Sequence, residues 1–268
     1  MLFSVLILTL NEEKDLPRCL ASVRDCDDIV VLDSGSTDRT IELARAAGAR
    51  VFHRNFDNFA GQRNYAQRSI PFRHPWIFHL DADEAMTGGL ARECDGAARE
   101  SGALDGYFVA PRMIFAGRWI PHCTDYPAWQ ARFVRAPQFE FVETGHGQRE
   151  APAMRLGHLR ANYLHDVFSG GESEWLEKHR RYARAEAQDR VRTPLACRDL
   201  FGSTPLGRRR ALKRVAAALP CRPAARFIYQ YVLRRGFLDG RPGLRYCLLL
   251  ARYEGFIADE TRRLKAIL

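Results

Sequence analysis

Within the first eighty residues, short apolar runs alternate with amphipathic stretches, and this alternation constrains the fold more than any other feature of the chain. Phe3–Thr9, Ile29–Leu32, Arg50–His53 and Trp76–Leu80 read as strands, with helices expected over Asp15–Val23, from Thr37-Asp38 through Ala44, and over Ala60–Arg68. Three of the four strands are almost wholly apolar, as parallel strands covered on both faces must be. The βαβ rhythm predicts an α/β fold built on a largely parallel sheet, with ligands bound beyond the carboxyl ends of its strands. Gly106–Ala110 continues the sheet, and the aromatic, proline-rich stretch to about residue 160 reads as short strands and loops.

The back of the chain is different. Helices are expected over Glu172–Arg192, Leu206–Leu219, Ala224–Arg235 and Leu244–Leu268, with a turn at Gly236–Gly243. Residues 1–169 carry 19 basic and 22 acidic side chains, and residues 170–268 carry 22 and 10, so the net charge of +9 is concentrated at the back. This divides the chain into a neutral-to-acidic front domain, 1–169, and a basic helical region, 170–268. Arg208-Arg209-Arg210 and Lys213-Arg214 beside Leu212, Val215 and Leu219 have the pattern of an amphipathic helix lying on an anionic membrane surface. Phe227, Ile228, Tyr231, Val232 and Leu233 beside Arg226, Arg234 and Arg235 continue it. The alternative is a solvated helical subdomain.

No apolar run approaches the roughly 18 to 20 residues that span a bilayer. The apolar opening lacks a basic start and a small-residue cleavage site and reads as a buried strand. Seven scattered cysteines without a C-x-x-C pair argue against a zinc site or a disulfide framework, and point to a cytoplasmic protein.

Chemistry is expected where the strands end. Asp81-Ala82-Asp83 follows an apolar strand directly, and two carboxylates at a strand end suit a hard cation that also takes phosphate oxygens, Mg²⁺ or Mn²⁺. The structural alternative is a turn or a helix cap. Thr9-Leu10-Asn11-Glu12 and Asp33-Ser34-Gly35-Ser36 deliver further polar groups to the same edge, suited to a base and a ribose. Asn11 as a helix cap and Asp33 as an Asx turn are the structural alternatives there. Neither a P-loop nor a G-x-G-x-x-G fingerprint is present.

Val5–Glu13, Ile29–Thr40, Gly61-Gln62-Arg63-Asn64-Tyr65-Ala66 and Leu80-Asp81-Ala82-Asp83-Glu84 together resemble the family 2 glycosyltransferases of GT-A fold. The similarity is greatest to the branch that includes bacterial lipopolysaccharide-core β-glucosyltransferases. It runs on through Gly117–Ile120 and Tyr126–Gln130 and reaches Gly236-Phe237-Leu238-Asp239-Gly240. The resemblance implies an inverting, metal-dependent transfer of a hexose from a nucleotide sugar, a UDP-sugar, to a lipopolysaccharide, exopolysaccharide or lipid-linked glycan. It implies donor contacts from Thr9, Asn11, Glu12, Asp33, Gln62, Arg63 and Asp81, and a metal held by Asp83 and His165.

An inverting transfer also needs a carboxylate base. The family's Tyr-Pro-Asp reads Tyr126-Pro127-Ala128 here, without its acid, and its Val-His-Glu is represented by Gly145-His146-Gly147-Gln148-Arg149-Glu150. Glu150 is the expected base, Asp125 the second choice, and Glu143 also lies downstream of the D-x-D. An acceptor at the inner face of the cytoplasmic membrane would bring the basic helices to anionic lipid. The competing readings are a nucleotidyltransferase, disfavoured by Asn11-Glu12-Glu13-Lys14 where a basic glycine-rich loop belongs, and a non-catalytic nucleic-acid binder. The basic tail carries no recognition motif for nucleic acid, and no nucleic-acid partner is expected.

Overall fold

A computed structural model describes residues 1–100, 102–144, 147–192 and 221–267, in two compact units. The expected helix Leu206–Leu219 with its arginine cluster, the breakers Pro194 and Gly202–Pro205, and His146 lie outside the described residues.

The first unit comprises Met1–Gly117 and Tyr126–Ser169. It opens with β1 (Ser4–Thr9), α1 (Leu16–Ser22), β2 (Ile29–Asp33), α2 (Thr40–Ala46), β3 (Arg50–His53), α3 (Phe59–Ser69) and β4 (Trp76–Asp81). It continues with β5 (Glu84–Ala85), α4 (Gly88–Arg99), β6 (Gly106–Val109) and β7 (Pro111–Phe115). The short β8 (Arg118–Trp119) belongs to the second unit. β9 (Gln130–Arg135), the hairpin β10 (Phe141–Thr144) and β11 (Gly147–Glu150), β12 (Leu156–His158) and β13 (Tyr163–Asp166) complete the first.

Seven strands form one mixed sheet in the order β12-β6-β9-β4-β1-β2-β3. β1, β2, β3 and β4 run parallel, and β9 reverses direction between β4 and β6. Successive residues of β1 feed opposite faces. Val5 and Ile7 join Leu16, Leu20, Leu90 and Phe133 on one side, and Leu6 joins Ala66, Ile70 and Ile77 on the other. Burying a side chain of this size contributes about 1.5–3 kcal/mol, so coverage of both faces accounts for the unbroken apolar runs. A second sheet pairs β13 antiparallel with β5 and parallel with β7.

Helix α4 was absent from the sequence expectation. Gly88 and Gly89 disguise its first turn, but Thr87 caps it by accepting from the Leu90 amide at 3.2 Å, and Leu90, Cys94 and Ala97 line its buried face.

The second unit comprises Arg118–Asp125 and Gly170–Leu268. Its described helices are α5 (Gly171–Arg192), α6 (Arg222–Ile228) and α7 (Gly240–Ile267). α6 runs on as a π-helical segment, Tyr229–Leu233, and a 3₁₀ turn over Gly236–Asp239 follows. The expected turn at Gly236–Gly243 is shorter than anticipated, because Arg241 and Pro242 already belong to the first turn of α7, where proline costs no backbone bond. Gly236 is required: a Cβ there would lie 2.7 Å from the Gln230 carbonyl oxygen and 2.9 Å from the Cys123 Cβ. Buried Asp239 accepts from the amides of His122 at 3.0 Å and Cys123 at 2.8 Å, and meets His122 Nδ1 at 2.6 Å. No helix among the described residues is long and apolar enough to cross a membrane.

Candidate active site

Register places three strand ends side by side. Thr9 of β1 lies opposite Asp33 of β2, and Leu8 lies opposite Asp81 of β4. The polar groups after these strands therefore occupy one edge of the sheet.

The loops after β1 and β2 are knitted together. Asp33 is fully buried and accepts four hydrogen bonds: from Thr9 Oγ1 at 2.9 Å, Ser36 Oγ at 2.5 Å, and the amides of Gly35 at 2.9 Å and Ser36 at 2.8 Å. Burial pushes its carboxyl up, but these four donors outweigh it and hold the group below the usual carboxylate range. A carboxylate has about four acceptor positions, and all four are used here. Asp33 therefore shapes the loop that follows β2. Asn11 sits in the left-handed region at φ 57°, its Oδ1 accepts from the Thr37 amide at 2.8 Å, and its own amide donates to Ser36 Oγ at 2.8 Å. The Glu12 amide donates to Thr40 Oγ1 at 2.7 Å.

Gln62 and Arg63, expected to face the donor, are each 1% exposed. Gln62 Nε2 donates to the carbonyls of Asn55 at 3.0 Å and Arg54 at 3.2 Å and so holds the loop after β3. Arg63 Nη2 reaches Asp81 Oδ1 at 2.7 Å. Both are buried because the face of α3 that carries them packs on the sheet.

The D-x-D is gripped from below. Arg132 of β9 donates through Nη2 to Asp81 Oδ2 at 2.9 Å and Glu84 Oε1 at 2.7 Å, and through Nε to Gln130 Oε1 at 3.0 Å. Burial raises the Asp81 carboxyl, yet the guanidiniums of Arg132 and Arg63 together hold it well below the ordinary range. Asp81 keeps 32% of its side chain exposed, so it is an ionised carboxylate open on one side. Glu84 is wholly buried, and burial, reinforced by Asp81 and Asp83, lifts it to about 7 against the pull of Arg132 and His165.

Asp83 lies in the turn between β4 and β5, and the β5–β13 pairing sets His165 opposite Glu84. His165 Nε2 is 3.2 Å from Asp83 Oδ2, and its Nδ1 is 3.9 Å from Glu84 Oε1. One ligand atom from each of Asp83, Glu84 and His165 falls within 4.8 Å of the others. Burial lowers the imidazole, but Asp83, then Glu84 and Asp81, outweigh it and carry it to about 9. The surroundings therefore favour a positive charge at this point, which a divalent cation would supply in place of the imidazolium proton. Adjacent ligands of a six-coordinate Mg²⁺ lie about 3 Å apart, close to the Asp83–His165 separation. Glu84 already accepts from Arg132 and from the Asp81 amide at 2.9 Å, so Asp83 and His165 are the ligands that fit a cation. Arg18 Nη2 donates to the Asp83 carbonyl at 2.7 Å and fixes the turn.

The candidate bases lie on other elements. Glu150 ends β11 opposite Phe141, half-buried, on a hairpin tied to α3 by Asn64, whose side chain exchanges hydrogen bonds with the Phe141 backbone at 2.8 and 3.0 Å. Glu143 is exposed on β10. Asp125 belongs to the second unit, 3.9 Å from Arg234 Nη2 and 78% exposed. Sequence reasoning missed Arg132, although a lone charge within Ala131-Arg132-Phe133-Val134 was its signal.

Residues 4–121 match glycosyl transferase family 2. Over 119 residues the chain is 34% identical to the lipopolysaccharide core biosynthesis glycosyltransferase LpsC of Rhizobium meliloti, a match covering 42% of this chain and 43% of that protein. It is 33% identical over 93 residues to an uncharacterized glycosyltransferase of Rickettsia bellii, covering 34% of this chain and 31% of that one. The chain thus spans less than half the length of these curated relatives. The crystal structure of S. aureus TarS 1-349 is 16% identical, with a TM-score of 0.46 over 94% of this chain and 91% of that one.

Proposed function

We propose that the chain, whose residues 4–121 match glycosyl transferase family 2, is an inverting, divalent-metal-dependent hexosyltransferase. It takes a hexose from a nucleotide sugar, a UDP-hexose, and passes it to a lipopolysaccharide, exopolysaccharide or lipid-linked glycan. The observation that carries this reading is the convergence of Asp83 and His165, 3.2 Å apart, beside an Asp81 carboxylate held ionised at the edge where β1, β2 and β4 end. The 34% identity to a lipopolysaccharide core glycosyltransferase supports the acceptor class.

In this proposal Thr9, Asn11 and Glu12 line the nucleoside, on loops whose shape Asp33 sets. Gln62 and Arg63 serve it at one remove, through the β3 loop and through Asp81. Asp81 faces the sugar and ribose, and Asp83 with His165 holds Mn²⁺ or Mg²⁺. A cation bound there supplies Lewis-acid charge to the departing diphosphate. Glu150, with Asp125 as the second choice, takes the proton of the acceptor hydroxyl as its oxygen bonds to the anomeric carbon and the nucleoside diphosphate leaves. The acceptor is placed at the anionic inner face of the cytoplasmic membrane.

Titration calorimetry with UDP-hexoses and a GDP-hexose, with and without Mn²⁺, tests the donor and the metal together. Binding of one UDP-hexose that requires Mn²⁺ and disappears in Asp83→Ala is expected. Metal-independent binding, or full activity in Asp83→Ala, would refute the site. Glu150→Gln is expected to lose transfer while still binding donor; full transfer in that variant together with its loss in Asp125→Asn would move the base to Asp125.

A further inference from the structure

Among the described residues, the second unit carries a run of large exposed apolar side chains. Ile228, Tyr229, Val232 and Leu233 follow one another at the spacing of a single helical face, and they are 52%, 44%, 50% and 70% exposed. Phe237 and Leu238, about half exposed, extend the apolar sequence through the 3₁₀ turn. Their neighbours Phe227 and Tyr231 instead stack on each other at 5.2 Å and are half-buried, so the helix separates an inner aromatic side from an outer aliphatic one.

The charge of the same stretch is one-sided. Residues 222–252 contain seven arginines and a single acidic residue, Asp239, which is buried. Arg235 and Arg241 are exposed beside the apolar residues. Large aliphatic side chains in water, rimmed by arginines and carrying a tyrosine, form the combination that inserts into the headgroup boundary of an anionic bilayer. A second copy of the chain is a poorer occupant, because isologous pairing would set arginines against arginines.

We infer that the segment Ile228–Leu238 is a membrane-docking edge, which seats Ile228, Val232, Leu233 and Leu238 at the acyl boundary of an anionic lipid surface while Arg235 and Arg241 meet lipid phosphates. This deepens the membrane part of the proposed function and rests on that part alone, not on the transfer chemistry.

Sedimentation of the full chain with phosphatidylcholine vesicles, with and without phosphatidylglycerol, tests it. Binding is expected only with phosphatidylglycerol and should weaken as salt rises. Val232→Gln with Leu233→Gln should abolish it, and Arg235→Gln with Arg241→Gln should reduce it by about fivefold per arginine. Thermal unfolding should change little in either pair, since all four residues are exposed at the surface. Failure to sediment, equal binding to pure phosphatidylcholine, or vesicle binding that ignores the substitutions would overturn the inference. So would light scattering that shows a dimer dissolved by the same substitutions. Donor hydrolysis on the same samples separates the two readings: hydrolysis without sedimentation strikes the docking edge alone, and sedimentation without hydrolysis strikes the catalytic reading alone.

Discussion

Arg132 decides the state of two carboxylates at once. Its guanidinium spans Asp81 and Glu84, which lie too close together to be ionised comfortably without it. Arg132→Gln would take the guanidinium from both carboxylates, leaving Asp81 to Arg63 and Glu84 to take up a proton, a loss of about 1–3 kcal/mol visible as a lowered midpoint in thermal unfolding. Arg132→Lys keeps the charge but loses the fork that reaches both partners, so Asp81 should shift. Donor hydrolysis in that variant is expected to fall roughly 10²-fold in kcat, with a smaller change in KM. Unchanged kcat would show that Asp81 needs only a nearby positive charge. The residues of this site were unequally legible in the sequence. Asp81 and Asp83 stood out because a strand end exposes whatever follows an apolar run. Gln62 and Arg63 were visible as a motif, but their burial depends on which face of α3 meets the sheet. Arg132 is distant in sequence and becomes part of the site only through the antiparallel β4–β9 pairing.

At the scale of elements, the opposite edge of the sheet has its own ionic tie. Asp28, just before β2, is 1% exposed and accepts from Ser4 Oγ at 2.5 Å, the Arg73 amide at 2.7 Å and Arg50 Nη2 at 2.7 Å. It thus joins the starts of β1, β2 and β3 and the approach to β4. Burial raises its carboxyl, but these donors prevail and hold it below the usual value. The unfolded chain then binds the proton more readily, so this contribution is present in full above about pH 4 and is lost as pH falls through the depressed folded value. Asp28→Asn should cost about 2–3 kcal/mol at neutral pH, less than a fully buried pair because Arg50 keeps 32% of its side chain in water. Its unfolding midpoint should depend less on pH in the acid range; an identical acid profile would assign the acid sensitivity to other groups. The first four strands were legible because periodicity and burial agree there. Beyond residue 111 most strands are only partly buried and lack an unbroken apolar run, so the signal that marks β1, β2 and β4 is missing.

At the scale of the whole molecule, the charge count along the chain pointed to an acidic front and a basic back. It could not show that Arg118–Asp125 groups with the back. That grouping rests on Asp239, whose carboxylate receives the His122 and Cys123 amides while Gly236 leaves room for Cys123. Asp239→Ala should destabilise the second unit by about 3 kcal/mol, measured by denaturant unfolding, because buried donors lose their acceptor. A loss below about 0.5 kcal/mol, the size expected of an ordinary surface change, would show that the packing around Gly236 is sufficient. The interleaving also bears on how such a protein can be shortened or recombined. The polypeptide passes from one unit to the other after Gly117, Asp125 and Ser169, so no single cut yields two intact parts. A truncation after Ser169 would strand Ile120 and Cys123, both without exposed surface in the intact chain, as a sticky apolar loop on an otherwise finished domain. Neither unit can therefore be exchanged by a simple fusion of fragments, and changes to the back half have to keep Asp239 and Gly236, which hold the loop Arg118–Asp125.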